Sequence, residues 1–334
     1  MFRSAIQVRI MSGKPADIIE IPVLFDTYRP EKQLGSGSCG IVYKAWHIRL
    51  QKHVVIKVVR HNTHDAVEAR RNEIEALKYI RSLYVPRVLD FLTEGELSYT
   101  IMEYIGGESF DKLLERQQVF SENRIVKWYG ELASALTAIH KLEIYHCDIK
   151  PANTILSPDD DIYLIDFNAA LVSGNDTKLI SCSPGYASPE QYELFQTLKY
   201  AEKTKTTPHG SCTGCHFSDN KKDTRSEYLY TEFSDSDRPF AGAATDDIDW
   251  RRSDIFSLGA AMYHLLSGVK PAGKAEEIIP VSQLGGYGEG ISYIIERSMN
   301  TDPAGRFANA EELSGMLRKL TGALRRTADR SEQS

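Results

Sequence analysis

The residues Tyr145–Leu156 read YHCDIKPANTIL, and after a short turn the residues Ile165–Asn168 read IDFN. Together the two stretches hold aspartates, a lysine and asparagines, which are the residue types of a phosphate-transfer site. Phosphoryl transfer depends mainly on positioning the nucleophile and on neutralising the charge of the phosphates. The two stretches therefore indicate such chemistry, provided that the rest of the chain supplies a nucleotide site.

The composition is that of a globular protein without a strong electrostatic preference. The chain has 334 residues, of which 42% are hydrophobic and 26% charged, and its formal net charge is -6. This is apolar material for about two core-bearing units. The charge gives no reason to expect nucleic acid or an anionic membrane as the main partner.

The lack of a recognisable targeting signal and the odd number of cysteines lead us to expect a cytoplasmic protein. No apolar run approaches the ~20 residues that cross a bilayer, and the start, MFRSAIQVRIMSG, has no uninterrupted apolar core of the secretory type. An odd number of cysteines argues against a disulfide framework and fits reduced thiols. The five are Cys39, Cys147, Cys182, Cys212 and Cys215.

Periodicity divides the chain into a β-rich front and a helical rear. From Tyr28 to Met102, short alternating or β-branched runs predominate, with one helical stretch around Asp65–Leu83. Gly106-Gly107 is the expected hinge. Behind it, helical spacing predicts helices at Ser121–Leu142, at Asp254–Ser267 with Gly268 as its stop, and at Asn309–Leu320.

The glycine motif in Leu34–Gly40, LGSGSCG, is weak evidence by itself. A strand pattern, Ile41–Trp46, follows it, whereas a dinucleotide-binding unit would continue as a helix facing the pyrophosphate. The absence of GK[ST] excludes a P-loop. The motif thus predicts a hairpin whose backbone closes over a nucleoside triphosphate, with an ordinary glycine-rich turn as the alternative.

Val54–Lys57, VVIK, places a lysine in an apolar strand and matches the V-A-I-K pattern. A buried ammonium is costly unless it is paired, so a partner carboxylate is expected. Glu68, Glu73 and Glu75 follow in the predicted helix. At about 100° per residue only Glu73 falls on the apolar face, so Glu73 is the predicted partner.

The order of these features resembles a eukaryotic-type protein kinase domain and is most similar to the bacterial, Hanks-like Ser/Thr group. The match covers roughly Tyr28–Leu320, apart from an insertion. The motifs that carry it, besides the glycine loop and Lys57, are HCDIKPAN, IDFN, SPGYASPEQY, SDIFSLGAAMYHLLSG and DPAGRF.

The resemblance implies an α+β, bilobal protein-kinase fold, with ATP and magnesium in the cleft between the lobes. The N-lobe would be a small β-rich unit with one main helix, and the C-lobe a larger and mostly helical one. The expected parts are an N-terminal extension (1–27), the N-lobe (28–105), the C-lobe (106–320) with an insertion at about 193–250, and a C-terminal tail (321–334).

The resemblance also assigns roles in a catalytic loop, Tyr145–Asn153. Asp148 would accept the hydroxyl proton of a substrate Ser or Thr, and Lys150 would be directed at the transferred phosphate. Asn153 and Asp166 would hold Mg²⁺ or Mn²⁺ through hard oxygen ligands. The implied catalytic set is Asp148, Lys150, Asn153, Lys57 and Glu73.

Nucleotide contacts follow from the same resemblance. Met102 would guard the back of the adenine pocket, and Glu103, Tyr104 and Ile105 would supply hinge backbone. The implied nucleotide-binding set is Leu34, Gly35, Gly37, Gly40, Val42, Lys57, Met102, Glu103 and Ile105.

Two positions depart from the family pattern. Cys147 replaces the arginine that pairs with a phosphorylated activation segment, here Asp166–Glu190. We therefore expect that phosphoryl transfer does not require a phosphate group on that segment to be bound at the position of Cys147. Asn168 replaces a glycine, and asparagine is among the few residues that reach positive φ at modest cost.

Three other residues have structural roles in the resemblance. Glu190 and Arg306 resemble a buried ion pair, and Asp254 resembles the residue that anchors the catalytic-loop backbone.

The polar stretch Gln191–Trp250 is predicted to be a long, partly disordered loop beside the substrate-docking surface. It contains Cys212, Cys215 and His216 in a CxxCH pattern, for which two cysteines in a flexible loop are favoured over a metal or redox site. As a hypothesis, it docks substrates or partners, or receives autophosphorylation.

The predicted function is transfer of the γ-phosphoryl of ATP to Ser or Thr of proteins, including autophosphorylation. The alternative is an ATP-binding pseudokinase scaffold. A kinase for a small molecule is disfavoured because SPGYASPE resembles a peptide-docking segment.

Overall fold

The computed structural model describes residues 23–37, 40–61, 74, 77–118, 120–173, 178–205, 227–231 and 248–332. The chain divides into two compact units. One comprises 1–78 and 87–104, and the other comprises 79–86 and 105–334. The first is built on a sheet and the second mostly on helices, so the predicted α+β architecture is confirmed.

The first unit contains a five-stranded antiparallel sheet in the order β1-β2-β3-β5-β4. β-branched and aromatic residues on one face of the sheet, including Val54, Ile56 and Tyr99, form its core. Such residues favour strands because their side chains fit the pleated surface. The strands are β1 (Tyr28–Gly37), β2 (Gly40–His47), β3 (Lys52–Arg60), β4 (Val88–Glu94) and β5 (Leu97–Glu103).

The helix predicted around Asp65–Leu83 ends earlier than expected. Ile74 and Leu77 are helical and buried, and the chain turns directly after them. The hydroxyl of Ser82 accepts a hydrogen bond from the Tyr84 N–H (3.2 Å), a local bond that competes with the helix. Glu73, the predicted partner of Lys57, lies outside the described residues.

The second unit is organised by its long helices. The helix predicted at Ser121–Leu142 packs against the helices that begin at Trp250 and Ala310. Its apolar residues at helical spacing are all buried, namely Ile125, Trp128, Leu132, Ala135, Leu136 and Ile139. Gly268, with φ 70°, ends its helix as predicted. The last helix continues beyond Leu320 to Glu332. The helices are α1 (Phe110–Glu115), α2 (Glu122–His140), α3 (Pro189–Lys205), α4 (Trp250–Ser267), α5 (Val281–Leu284), α6 (Glu289–Ser298) and α7 (Ala310–Glu332).

The second unit also contains seven described short strands, which lie between or beside its loops. They form one three-stranded sheet in the order β6-β8-β9 and the pairs β7–β10 and β11–β12. They are β6 (Glu108–Ser109), β7 (Ile144–Tyr145), β8 (Thr154–Leu156), β9 (Ile162–Leu164), β10 (Leu171–Val172), β11 (Lys178–Cys182) and β12 (Glu227–Thr231).

The prediction of a continuous loop from Gln191 to Trp250 is wrong in two places. Helix α3 extends to Lys205, and β12 pairs with β11 of the activation segment. The helix forms because Ser188 accepts a hydrogen bond from the Gln191 N–H (3.3 Å) as an N-cap, with proline at the first helical position. Its residues Leu194 and Phe195 are buried.

Cys212, Cys215 and His216 lie outside the described residues, so the predictions about the CxxCH pattern stay open. In the described part of the chain, no helix is long and apolar enough to span a bilayer.

Candidate active site

Asp254, at the start of α4, fixes the main chain of the catalytic loop. Its carboxylate is fully buried and accepts hydrogen bonds from the N–H groups of His146 and Cys147, both at 2.8 Å. His140 donates to the same carboxylate through Nε2 at 2.9 Å. The predicted anchoring role of Asp254 is therefore confirmed by geometry.

His146 connects the catalytic loop to the chain just before Asp166. Its Nε2–H donates to the carbonyl of Ile165 (3.1 Å), and its Nδ1 accepts from the Asp148 N–H (3.3 Å). The ring also packs edge-on against Phe167, with 4.7 Å between centroids. A single buried imidazole thus orients the residues on either side of the site.

Asp148 lies at the centre of a cluster of polar side chains and is itself buried. Its Oδ1 accepts a hydrogen bond from the Ser183 hydroxyl at 2.6 Å. Its Oδ2 accepts from Lys150 Nζ at 2.8 Å and from Asn153 Nδ2 at 2.9 Å. Lys150 also reaches Ser183 Oγ (3.1 Å). The structure therefore brings Asp148, Lys150 and Asn153, three of the predicted catalytic residues, into direct contact and adds Ser183 to them. These four residues are called the Asp148 cluster below.

A backbone hydrogen bond joins Asn153 to Ile165, the residue immediately before Asp166. The Ile165 N–H donates to the Asn153 carbonyl at 2.9 Å, beside the β8–β9 pairing. The Asn153 amide nitrogen is used twice, toward Asp148 Oδ2 and toward the Asp148 carbonyl at 2.8 Å. Its amide oxygen is therefore the atom of this side chain that suits a cation.

This donor set fits magnesium and not a metal held by protein alone. Among the described residues, no group of three or more His, Cys, Asp and Glu side chains is arranged to hold a metal ion. Mg²⁺ commonly binds one or two carboxylates and takes its remaining oxygens from water and substrate phosphates. One aspartate and one amide oxygen are compatible with that pattern.

Positive φ occurs at Asp166 and Cys147, at 67° and 59°. Asn168 does not have positive φ, so the reason given for tolerating asparagine there does not apply. L-residues with side chains rarely adopt this region, and each costs about 1 kcal/mol or more. The two strained residues lie in the catalytic loop and at the predicted metal ligand.

The Cys147 side chain is surrounded by apolar groups. It packs in one buried cluster with Leu171, Leu194, Phe195 and Trp250. Burial, with Asp254 adding to the effect, raises the pKa of the thiol well above its ordinary value, which keeps it neutral. None of the described residues that form this cluster carries a positive charge. Independence from a phosphorylated activation segment stays a prediction.

The predicted ion pair between Glu190 and Arg306 is present. Arg306 is buried, and its guanidinium donates to both carboxylate oxygens of Glu190, at 2.6 and 2.8 Å. Its Nε also donates to the Asn300 carbonyl at 2.7 Å. The pair ties the start of α3 to the loop before α7.

A second polar contact lies at the end of the activation segment. The Tyr186 hydroxyl and His264 Nδ1 are hydrogen-bonded at 2.7 Å, and the Lys270 ammonium lies 5.6 Å from the Tyr186 ring centroid. Burial, and then the positive charge of Lys270, lower the pKa of His264 to about 4. The imidazole is therefore neutral at physiological pH.

In the first unit, the glycine motif forms the predicted hairpin. Gly37 pairs with Gly40 in the antiparallel β1–β2 ladder, and β2 continues as a strand. Gly40 has φ 107°, and a Cβ there would lie 2.2 Å from the Val58 carbonyl oxygen. Glycine is thus required at Gly40, whereas a Cβ at Gly35 would meet nothing within 4 Å.

Lys57 is only 6% exposed in β3. Its cross-strand neighbours are Val42 and Thr100, which share its face of the sheet.

Leu34 is exposed, and Met102 is half-buried at the end of β5. The Glu103 carboxylate accepts from Arg87 Nε at 2.8 Å, and the Glu103 N–H donates to the Arg87 carbonyl at 3.0 Å. Ile105 begins the longer segment of the second unit.

Sequence reasoning missed Gln191, which contacts both the catalytic loop and the activation segment. Its position in a polar stretch gave no sign of burial. The Ser188-Pro189 pair before it is an N-terminal helix signal and would have placed Gln191 in the first turn of α3.

Comparisons with known proteins agree with this geometry. The model of the protein kinase domain family matches residues 28–206. A probable serine/threonine-protein kinase of Clostridium acetobutylicum is 34% identical over 177 residues, 51% of this chain and 27% of that protein. A probable serine/threonine-protein kinase of Clostridium perfringens is 22% identical over 317 residues, 89% of this chain and 39% of that protein. The serine/threonine-protein kinase pkn3 of Myxococcus xanthus is 30% identical over 180 residues, 49% of this chain and 33% of that protein.

The chain therefore spans less than half the length of these relatives. The family match begins at Tyr28, where β1 begins, and includes the glycine hairpin, Lys57, the catalytic loop and Asp166. The Asp148 cluster also lies within that matched region, and the chain belongs to the protein kinase domain family.

Proposed function

We propose that this chain is a protein serine/threonine kinase that transfers the γ-phosphoryl of ATP to hydroxyl groups of proteins, including its own. The observation that carries the proposal is the Asp148 cluster. A buried carboxylate accepts a hydrogen bond from a serine hydroxyl at 2.6 Å while a lysine contacts both groups. A general base must lie within hydrogen-bond reach of the proton that it removes, and Asp148 meets that requirement for a hydroxyl.

In the proposed reaction, a substrate hydroxyl lies where Asp148 can accept its proton. The hydroxyl oxygen forms a bond to the γ-phosphorus, the bond between this phosphorus and the β,γ-bridging oxygen breaks, and ADP leaves. Lys150 stabilises the negative charge on the transferred group. Mg²⁺, held by Asn153 and Asp166, would neutralise the phosphate charge. Lys57 would orient the nucleotide phosphates from β3.

The test is phosphate incorporation by the purified chain with Mg-ATP, read by mass spectrometry on the chain itself and on a generic protein substrate. Asp148→Asn keeps the shape of the side chain but removes the base. We expect its rate to fall by about 10²-fold or more, the usual contribution of general acid–base catalysis. Asp159→Asn, the same change on an exposed turn of the same unit, is the matched control and should leave the rate unchanged.

The possible results separate the rival functions. Incorporation by Asp148→Asn at the wild-type rate would contradict the assigned base. A wild-type chain that binds ATP but labels neither itself nor the protein substrate would be a scaffold. Detection of phosphate on serine or threonine side chains supports the proposed class of acceptor.

A further inference from the structure

Gln191 is a buried amide whose hydrogen-bonding atoms are all engaged. The side chain lies in the first turn of α3 and is 1% exposed. Its Nε2 donates to the carbonyls of Cys147 (2.7 Å) and Ser181 (2.8 Å). Its Oε1 accepts from the Ser253 hydroxyl at 3.3 Å. A primary amide has two N–H donors, and both are used on main-chain carbonyls.

The first of these carbonyls belongs to the peptide that leads into Asp148. Cys147 has φ 59°, so its backbone must be held in place by its surroundings. Its N–H is fixed by Asp254 (2.8 Å), and its C=O is fixed by Gln191. The amide therefore completes the restraint on the residue that immediately precedes the proposed base.

The second carbonyl belongs to the activation segment. Ser181 is two residues before Ser183, whose hydroxyl lies 2.6 Å from Asp148 Oδ1. One amide thus joins the two stretches of chain that meet at Asp148. The connection contains no charged group, and the neighbouring Cys147 side chain lies in an apolar cluster.

We propose that Gln191 is a positioning residue that fixes the catalytic loop and the activation segment to each other, and that it does so without a bound phosphate. This inference rests on the proposed function. The amide sets the geometry of Asp148 through the Cys147 peptide and does not touch substrate. Loss of its donors would remove one buried hydrogen bond from each of the two carbonyls and would loosen the loop that carries the base.

Two substitutions of similar size separate donation from packing. Gln191→Glu keeps the shape but presents a carboxylate to two carbonyl oxygens. Gln191→Met fills the space without any hydrogen bond. Gln283→Glu, on the exposed surface of α5, is the matched control.

The measurement is kcat and KM for ATP from pH 6 to pH 8, with phosphatase-treated enzyme. At pH 8 we expect Gln191→Glu to lower kcat at least about tenfold, a barrier change of about 1.4 kcal/mol, with KM within about twofold of wild type. The ratio of its kcat to that of wild type should rise toward pH 6, because the introduced carboxyl group regains one donor when it is protonated. Gln191→Met should show a low and pH-independent ratio. Wild type and Gln283→Glu should stay active after phosphatase treatment.

Two results would overturn the inference. One is a folded Gln191→Glu enzyme with wild-type kcat throughout the range. The other is a wild-type kcat for Gln191→Met, which would reduce the role of Gln191 to packing. Loss of wild-type activity on phosphatase treatment would refute the phosphate-free part.

Hydrogen exchange gives a reading that does not require turnover. Gln191→Asn keeps the amide on a shorter side chain, so at most one carbonyl stays in reach. Faster exchange in peptides covering Tyr145–Lys150 of this variant, at unchanged melting temperature, supports the inference, and unchanged exchange contradicts it. A wild type that transfers no phosphate would defeat the proposed function alone, since the exchange result would still decide the role of Gln191.

Discussion

His264 is a base that the fold keeps neutral. Its Nδ1 is hydrogen-bonded to the Tyr186 hydroxyl, and burial, with the charge of Lys270, lowers its pKa from 6.5 to about 4. The unfolded chain takes up a proton at this residue below pH 6.5, and the folded chain does so only near pH 4. Stability from this residue is therefore complete above pH 6.5 and is lost as the pH falls toward 4.

We predict that His264→Gln flattens this acid dependence. Glutamine can still form a hydrogen bond with the Tyr186 hydroxyl but does not titrate. Between pH 7.5 and pH 5, wild type should lose up to about 2 kcal/mol more unfolding free energy than the variant. Urea titrations of both proteins at the two pH values measure the difference. An equal loss in both proteins would show that His264 takes up its proton normally in the fold.

The first hairpin depends on a glycine at one position and not at another. Gly40 has φ 107°, and a Cβ there would lie 2.2 Å from the Val58 carbonyl oxygen. The nearest atom belongs to the backbone of β3, so it cannot rotate away as a side chain would. Gly35, earlier on β1, has open space where a Cβ would point, with nothing within 4 Å.

We predict that Gly40→Ala destabilises the protein by about 2 kcal/mol or more, through backbone strain and displacement of β2 from β3. Gly35→Ala should change stability by no more than about 0.5 kcal/mol. Urea unfolding measures both variants, and titration with a fluorescent nucleotide should show weaker binding for Gly40→Ala. Equal stability of the two variants would mean that the hairpin adjusts freely around a Cβ at Gly40.

Elements with strong local signals were predictable, and those defined by distant partners were not. The apolar spacing in Ser121–Leu142 and the glycine after Ser267 predicted α2 and the end of α4. The continuation of α3 beyond Gln191 was missed because its buried residues Leu194 and Phe195 are followed by a long polar stretch. Strand β12 was missed since its partner, β11, lies far away in sequence.

The same distinction applies to the candidate site. Asp148, Lys150 and Asn153 are near neighbours in the chain, so their spacing predicted their contact. Gln191 reaches Cys147 across 44 positions, a contact that depends on how α3 packs and not on any local pattern. Positive φ was expected at Asn168 and occurs at Asp166, because local composition does not determine which peptide in a loop turns.

The chain as a whole should be stabilised by nucleotide and metal together. A ligand that binds only the folded state stabilises it by about 2.7 kcal/mol at 100 times its dissociation constant. For a protein of this size that corresponds to a rise of about 4 °C in melting temperature. The proposed metal ligands contribute one carboxylate and one amide oxygen, so the metal should bind well only when the phosphates complete its shell.

We therefore predict that ADP with Mg²⁺ raises the melting temperature by several degrees more than ADP with EDTA, and that Mg²⁺ alone has little effect. Asp166→Asn should lose the metal-dependent part of the shift, because it removes the only carboxylate among the proposed ligands. Asp159→Asn, the exposed control, should keep the full shift. Thermal unfolding followed by fluorescence measures all three proteins. A full metal-dependent shift in Asp166→Asn would place the metal elsewhere, while an EDTA-insensitive shift in wild type would separate nucleotide binding from the metal altogether.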